Sequence, residues 1–309
     1  MNKYPNIITG NNGFIGINLS AFLKEKEENV IGVSRNPGKD EISYKELTRD
    51  LLDNSKTLIH LAGKAHDLKN SSEEQDYFKV NTVLTKNIFD IFLESDCKIF
   101  IYMSSVKAVA DNVVGILNED CEPNPKTHYG KSKFLAESYI LSKKIPNNKR
   151  VYILRACMIH GPNNKGNLNL LYNLVSKRIP WILGSFQNKR SYCSIDNLLF
   201  IINELIKNNT IPSGVYNVAD DEYLSTNEII SLISNSSNQK PIIFNLSPFI
   251  VKFIAKIGDI LPLPLNSERL KKLTESYVVS NEKLKKYIAK ELPLTSKQGL
   301  IKTFKSFKN

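Results

Sequence analysis

The stretch TGNNGFIG at residues 9–16 constrains this chain more than any other. Gly10, Gly13 and Gly16 follow a G-x-x-G-x-x-G spacing. Before it, residues 5–9 (PNIIT) are β-branched at Ile7, Ile8 and Thr9 and read as a short buried strand. After it, residues 14–23 take up helical period. Strand, glycine-rich turn and helix in that order form the arrangement that holds a dinucleotide pyrophosphate. The glycines permit a tight turn and close backbone approach, and the helix N-terminus offers unpaired N–H groups and the positive end of its dipole. A glycine spacing alone is a weak signal; its place between a first strand and a first helix gives it weight.

Composition narrows the reading. The 309 residues suffice for a large core in one or two domains, and 41% hydrophobic with 24% charged residues is ordinary for a globular chain. The first strand begins too early to leave room for a signal or transit peptide, and no apolar run approaches the ~20 residues of a membrane span. The most apolar late stretch, residues 247–265 (SPFIVKFIAKIGDILPLPL), is interrupted by Lys252, Lys256 and Asp259. It reads as an amphipathic helix capping a pocket rather than a membrane contact. Cys97, Cys121, Cys157 and Cys193 form no C-x-x-C pair, and His60, His66, His128 and His160 show no ligand spacing. No metal site or disulfide frame is expected, and a reducing, cytoplasmic compartment is. The net charge of +11 comes largely from lysines near the C-terminus that read as a solvated helical face, so no nucleic-acid partner is expected.

Strands are expected at residues 29–33, 41–44, 57–62, 98–103, 150–155 and Gly214–Val218. Helices are expected at 46–53, 73–95, about 128–144, 170–177, within 194–207, and at 225–233 behind Ser225 or Thr226 as cap, with loops at 63–72 and 184–190. The alternation up to residue 160 implies an α/β fold with a parallel, doubly wound sheet; beyond Gly161-Pro162 a smaller lobe interleaves with segments that return to the sheet. The end of the second strand faces the adenosine ribose, where an acid selects NAD. Ser34 and Arg35 stand there, and no carboxylate follows until Asp40. A 2′-phosphate and hence NADP(H) is expected, with NAD(H) the alternative. Leu61, Ala62 and Gly63 end the fourth strand with room for a cofactor. His60 reads as a packed or hydrogen-bonded histidine. Asn81, polar among apolar helical neighbours, reads as a satisfied core group or an organiser of the site's floor.

Tyr129 and Lys133 share one helix face at i, i+4, and Ser105 lies at the C-terminal end of the fifth strand, where parallel sheets keep their sites. A tyrosine with an ordinary pKa near ~10 is a poor acid-base group at neutral pH. A neighbouring Lys⁺ and a positive nicotinamide ring would favour its phenolate. Ser105 can hydrogen-bond the substrate oxygen that exchanges a proton with Tyr129.

TGNNGFIG, HLAG (residues 60–63), Ser104-Ser105, YGKSK (residues 129–133) and RACMIHGP (residues 155–162), in this order, resemble the extended short-chain dehydrogenase/reductase superfamily in its nucleotide-sugar epimerase/dehydratase branch. The resemblance covers nearly the whole chain. It implies a Rossmann-type sheet over residues 1–160 with return segments at about 191–217, and a nucleotide-sugar-binding lobe from 161–190 and 218–309. It implies Tyr129 as acid-base residue, Lys133 on the nicotinamide ribose and Ser105 orienting the sugar oxygen. Cofactor contacts are then expected from Gly10, Asn12, Gly13, Phe14, Ile15, Gly16, Ser34, Arg35, Leu61, Ala62, Gly63 and Asn81. Substrate contacts are expected from Lys107, Asn167, Arg190 and Arg269, whose arginine forks suit a diphosphate. RACMIHGP departs from the usual Arg-Pro-x-x-x-Tyr-Gly-Pro at Ala156 and His160, which puts the nicotinamide side in question. Members commonly dimerise through helices matching residues 73–94 and 128–144, so a homodimer is expected.

Dehydratases of the family carry Asp-Glu directly after the Ser/Thr. Val106 and Lys107 stand there, which argues against elimination. Ser34-Arg35 favours NADPH, and Ser-Ser-Val-Lys resembles the bacterial branch containing UDP-N-acetylquinovosamine dehydrogenases. The expectation is therefore reduction of a UDP-4-keto-6-deoxy-hexosamine for surface-polysaccharide synthesis. The alternatives are a UDP-hexose or UDP-N-acetylhexosamine 4-epimerase with bound NAD and, further off, a non-catalytic NADP(H) sensor.

Overall fold

The computed structural model describes residues 4–64, 74–164, 166–261 and 265–307. In chain order the elements begin with β1 (Asn6–Thr9), α1 (Phe14–Glu25), β2 (Val30–Ser34), β3 (Glu41–Ser43), α2 (Arg49–Asp53) and β4 (Thr57–His60). Next come α3 (Glu74–Tyr77), a π turn (Phe78–Val83), α4 (Leu84–Glu94), β5 (Ile99–Ser105), β6 (Ile116–Leu117), α5 (His128–Ser142), β7 (Arg150–Ala156) and β8 (Met158–His160). Then follow α6 (Asn167–Ser176), β9 (Arg190–Ser194), α7 (Ile195–Lys207), β10 (Gly214–Val218), β11 (Tyr223–Leu224) and α8 (Thr226–Ser236). Last are α9 (Pro248–Gly258), α10 (Ser267–Thr274), β12 (Val278–Val279), α11 (Glu282–Ile288) and α12 (Ser296–Ser306).

The seven-stranded sheet runs β10-β7-β5-β4-β1-β2-β3, and every pairing in it is parallel. Strand order reverses between β1 and β4, and that switch point is where such sheets bind ligands, beyond the C-terminal strand ends. Alternation fills both faces. Ile8, Ile59, Ile101 and Leu154 pack on one side with Leu19, Leu23 and Ile202; Ile7, Leu58, Phe100 and Ile153 pack on the other with Phe89, Phe92 and Ile140. A third cluster, built on Tyr172, Trp181, Tyr192, Ile229, Val251, Ala255 and Phe304, is the core of the C-terminal lobe. Its small sheets, β11-β9-β8 and β12-β6, were not legible in the sequence because each strand is only two to five residues long.

Several expectations change. The helix expected over 73–95 contains the π turn at Phe78–Val83, which carries Asn81. The fifth strand runs on through Ser104 and Ser105. The helix expected from residue 46 starts at Arg49, because the Thr48 hydroxyl accepts the Leu51 N–H and caps it there. Most of the loop expected at 63–72, and Lys165 of the substrate loop, lie outside the described residues. The late apolar stretch does form a helix, α9, but it caps none of the site's cavities.

Candidate active site

At the glycine turn, Gly10 adopts φ 72°, and a Cβ there would lie 2.6 Å from the Ala62 nitrogen. Only glycine lets the first turn pass so close to the end of β4. Helix α1 opens behind Gly13 without a side-chain cap, whereas α5, α7, α8 and α12 are capped by Thr127, Ser194, Ser225 and Thr295. Its first N–H groups are thus left for an anion.

Glu41, on β3, is the residue the sequence reading missed. Its carboxylate accepts hydrogen bonds from Asn11 Nδ2 (2.7 Å), Asn12 Nδ2 (3.2 Å), Ser34 Oγ (3.0 Å) and the Gly38 N–H (3.1 Å). The Gly38 N–H, followed by the Ser34 and asparagine contacts, holds this carboxyl below its ordinary range despite partial desolvation. A carboxylate therefore stands beside the glycine turn and the end of β2, reaching there from the neighbouring strand. The signal was present only in the β2–β3 register, which pairs Gly32 with Glu41. Arg35, expected to meet a 2′-phosphate, is exposed beside it, and the Ser34 hydroxyl is already committed to Glu41.

At the other end, a cavity of about 210 Å³ is lined by Ile15, Leu61, Gly63, Ser105, Tyr129 and Lys133, with Ala156 and Cys157 at its back. Ser105 Oγ accepts the Lys107 N–H (3.2 Å), and a hydrogen bond from Ser105 pulls the Tyr129 pKa down. Burial outweighs that bond and leaves the Tyr129 hydroxyl above its ordinary value, with Tyr77, edge-on at 6.3 Å, adding slightly. Lys133 Nζ donates to the Met103 carbonyl (2.8 Å) and lies 4.9 Å over the Tyr102 ring. Burial lowers it to about 8, against which Glu137 supports its charge. Glu137 is itself held by Arg155 (Nη2 to Oε2, 2.7 Å) and by the Ser104 hydroxyl, so a buried ion pair sits one turn behind Lys133.

Asn81, fully buried, ties this floor together. Its Oδ1 accepts the Lys64 N–H (2.7 Å), and its Nδ2 donates to the Lys64 carbonyl (3.1 Å) and Ser132 Oγ (3.0 Å). The π turn widens the helix where this side chain must reach across. His60 is fully buried between Thr9 Oγ1 (2.6 Å) and Thr85 Oγ1 (2.9 Å), and burial lowers it to about 3, so it stays neutral. His160 does not face this cavity. Its Nδ1 meets Thr303 Oγ1 (2.9 Å) and its Nε2 lies 3.7 Å from Asp220, which ties β8 to the C-terminal lobe. Burial, with Asp220 nearby, keeps Cys157 a protonated thiol.

Two further cavities continue from Tyr129. One of about 280 Å³ is lined by Tyr129, Lys107, Asp111, Thr127, Lys272 and Glu275. Lys107 Nζ donates to the Asp111 carbonyl (2.7 Å) and sits 4.5 Å over Tyr277. The next, of about 430 Å³, shares Lys272 and brings together Asn167, Arg190 and Arg269 on an otherwise apolar wall of Leu168, Leu171, Trp181 and Tyr192. Arg190 Nη1 donates to the Lys272 carbonyl (2.7 Å). Gly130 holds this arrangement shut: a Cβ there would lie 2.4 Å from the Lys107 carbonyl, so the Tyr129 turn and the Lys107 turn must touch. Tyr129 thus lines both of the first two hollows, and Lys272 both of the last two.

The NAD dependent epimerase/dehydratase family model matches residues 6–219. The UDP-glucose 4-epimerase of Vibrio cholerae is 28% identical, over 97% of this chain and 94% of that protein. The N-acetyl-alpha-D-glucosaminyl-diphospho-ditrans,octacis-undecaprenol 4-epimerase of Escherichia coli O157:H7 is 28% identical over 75% of this chain and 68% of its own length. Among solved structures, the UDP-glucuronic acid 4-epimerase of Bacillus cereus in complex with NAD superposes with a TM-score of 0.74 at 20% identity, covering 98% of each chain. A glycine turn at the switch point, a Ser–Tyr–Lys group lining a hollow beyond the central strands and a match spanning the whole sheet agree: the chain belongs to the NAD dependent epimerase/dehydratase family.

Proposed function

We propose that this protein is a 4-epimerase of a UDP-hexose or UDP-N-acetylhexosamine that works with NAD. The observation that carries this reading is the Glu41 carboxylate, anchored on the glycine turn and Ser34 where the adenosine ribose belongs. A carboxylate there accepts from a ribose hydroxyl and opposes a 2′-phosphate. That weakens the case for NADPH, and with it the main reason to expect a reductase that consumes it. The residues fit a dinucleotide: Gly10 leaves a cradle that a Cβ would fill, α1 opens uncapped, and Tyr129 and Lys133 line the far hollow.

Bound NAD supplies a hydride acceptor and donor. The chain's residues handle the proton and the sugar. Ser105, fixed by the Lys107 N–H, steadies the C4 oxygen and donates toward Tyr129. The Lys133 charge, together with the positive nicotinamide ring that bound NAD would bring, favours the Tyr129 phenolate, which takes the C4 hydroxyl proton as the ketone forms and returns it when the alcohol is restored. Lys133, anchored on Met103, holds the nicotinamide ribose. Inversion requires the 4-ketone to present its other face. The sugar therefore turns in the Lys107-lined hollow, while Arg190 and Arg269 keep the diphosphate and the apolar wall keeps the base. In this reading residues 1–160 and 191–217 serve the cofactor, and 161–190 and 218–309 the nucleotide sugar. Leu135 and Leu141 on α5 and Val83 at the end of the π turn are exposed on the helices expected to pair, which supports a homodimer.

The 4-ketoreductase is the second reading, favoured by exposed Arg35 at the end of β2, which remains free to meet a phosphate. Incubation with UDP-N-acetylglucosamine or UDP-glucose and NAD, without reductant, separates the two. C4-inverted product supports the epimerase; no inversion, with NADPH oxidised by a UDP-4-keto-6-deoxy sugar, supports the reductase.

A further inference from the structure

We infer that helix α9 is a docking surface for an anionic lipid bilayer. The helix buries only one narrow face. Val251, Ala255 and Gly258 point into the lobe, and Gly258 lies so close to Leu265 that a Cβ would meet its carbonyl at 1.9 Å. The opposite face is apolar and in solvent: Phe249 is 79% exposed, Phe253 60% and Ile260, just past the helix end, 86%, with Ile250 and Leu261 beside them. Phe244, on the segment that leads into the helix, is exposed as well. Scattered exposed apolar residues need no explanation, but a run of phenylalanines and isoleucines opposite a helix's buried face does.

Charge identifies the occupant. Residues 229–258 contain Lys240, Lys252 and Lys256 and not one carboxylate. Lys252 and Lys256, one turn apart, flank the phenylalanine face, where their stems can lie on apolar surface while the ammonium groups reach out. Asp259, the first acid after the helix, is turned away by its bonds to the Ser267 N–H (2.9 Å) and hydroxyl (2.6 Å). A second copy pairing through α9 alone would set Lys252 and Lys256 against their own copies, and residues 229–258 hold no carboxylate to answer them. Phosphate headgroups above acyl chains answer both features, as for helices that lie in the interface plane. With 11 residues α9 is far too short to span, so it would lie flat. It packs against α10, which lines the arginine cavity with Arg269, Lys272 and Leu273, so docking sets that cavity beside the bilayer.

The test is sedimentation of the full chain with phosphatidylcholine vesicles, with and without phosphatidylglycerol, for wild type, a Phe249→Ser/Phe253→Ser double variant and a Lys252→Gln/Lys256→Gln double variant. The expected result is salt-sensitive binding that requires phosphatidylglycerol. The phenylalanine pair should weaken it by about a hundredfold and the lysine pair by about thirtyfold, each with wild-type melting temperature and turnover of soluble nucleotide sugar. Absence of binding overturns the proposal. So does binding that salt abolishes but the phenylalanine variant does not change, which would reflect overall charge alone. Sedimentation velocity without lipid supplies the other arm: a dimer that dissolves in the phenylalanine variant assigns the surface to a second copy and overturns the lipid.

Discussion

Replacing Glu41 by Gln tests cofactor choice at a single charge. The side chain keeps its shape, and one amide oxygen can still accept from Asn11 or Ser34, but the charge that these donors and the Gly38 N–H hold in place is gone. A hydrogen bond to a charged group contributes about 1.5–3 kcal/mol and one to a neutral group about 1, so NAD should bind roughly tenfold more weakly. For NADP the balance reverses. A phosphate within about 4 Å of a carboxylate meets about 1 kcal/mol of repulsion per charge pair in water and about 4 at the effective dielectric of a protein surface. Glu41 is only half-buried, so about 2 kcal/mol, or some thirtyfold, is the appropriate figure. The ratio of NADP to NAD affinity should thus rise by two to three orders of magnitude. Calorimetric titration of the purified protein with each dinucleotide, together with a melting curve to show that the variant is folded, reads this directly. Wild type that prefers NADP, or a variant whose ratio is unchanged, would refute the placement of the ribose at Glu41.

Tyr129→Phe removes the proton carrier but not the cofactor cradle; turnover should fall by about 10²–10⁴-fold with dinucleotide affinity nearly unchanged, measured by steady-state assay and titration. Glu137→Gln leaves the Arg155 guanidinium buried without its partner, so urea denaturation should show a loss of about 3–5 kcal/mol, and Lys133 loses support for its charge. His60 is depressed to about 3 in the fold against about 6.5 unfolded, so the unfolded chain binds the extra proton between those values. Stability should therefore be fully present above pH 6.5 and fall on acidification, by about 2 kcal/mol from this residue between pH 6.5 and 5. A His60→Gln variant should show a flatter urea midpoint over that range.

The sheet was legible because its strands are continuous apolar runs and its glycine turn has a fixed place after the first of them. The Ser105, Tyr129 and Lys133 group was legible because a strand end and one helix face bring it together with little help from the rest of the chain. Residues 163–167, 188–192 and 269 pointed to the substrate side, and Asn167, Arg190 and Arg269 do line one cavity. Glu41 was not legible, since its role depends on a three-residue edge strand whose register only pairing with β2 defines. Nor was the engagement of Asn81 with Lys64 and Ser132, because a π turn has no distinct residue pattern. The apolar face of α9 could be read as helical but not as uncovered, since which side a lobe leaves open is settled by packing far along the chain.

The most direct measurement is the fate of hydrogen at C4. The protein is incubated with NAD and UDP-N-acetylglucosamine deuterated at C4, and the recovered sugar is examined by mass and by NMR. The account predicts C4-inverted product that keeps its deuterium, with no net rise in reduced-nicotinamide absorbance, because the hydride removed is the hydride returned. Loss of deuterium into free reduced dinucleotide, or recovery of uninverted sugar alone, would contradict it.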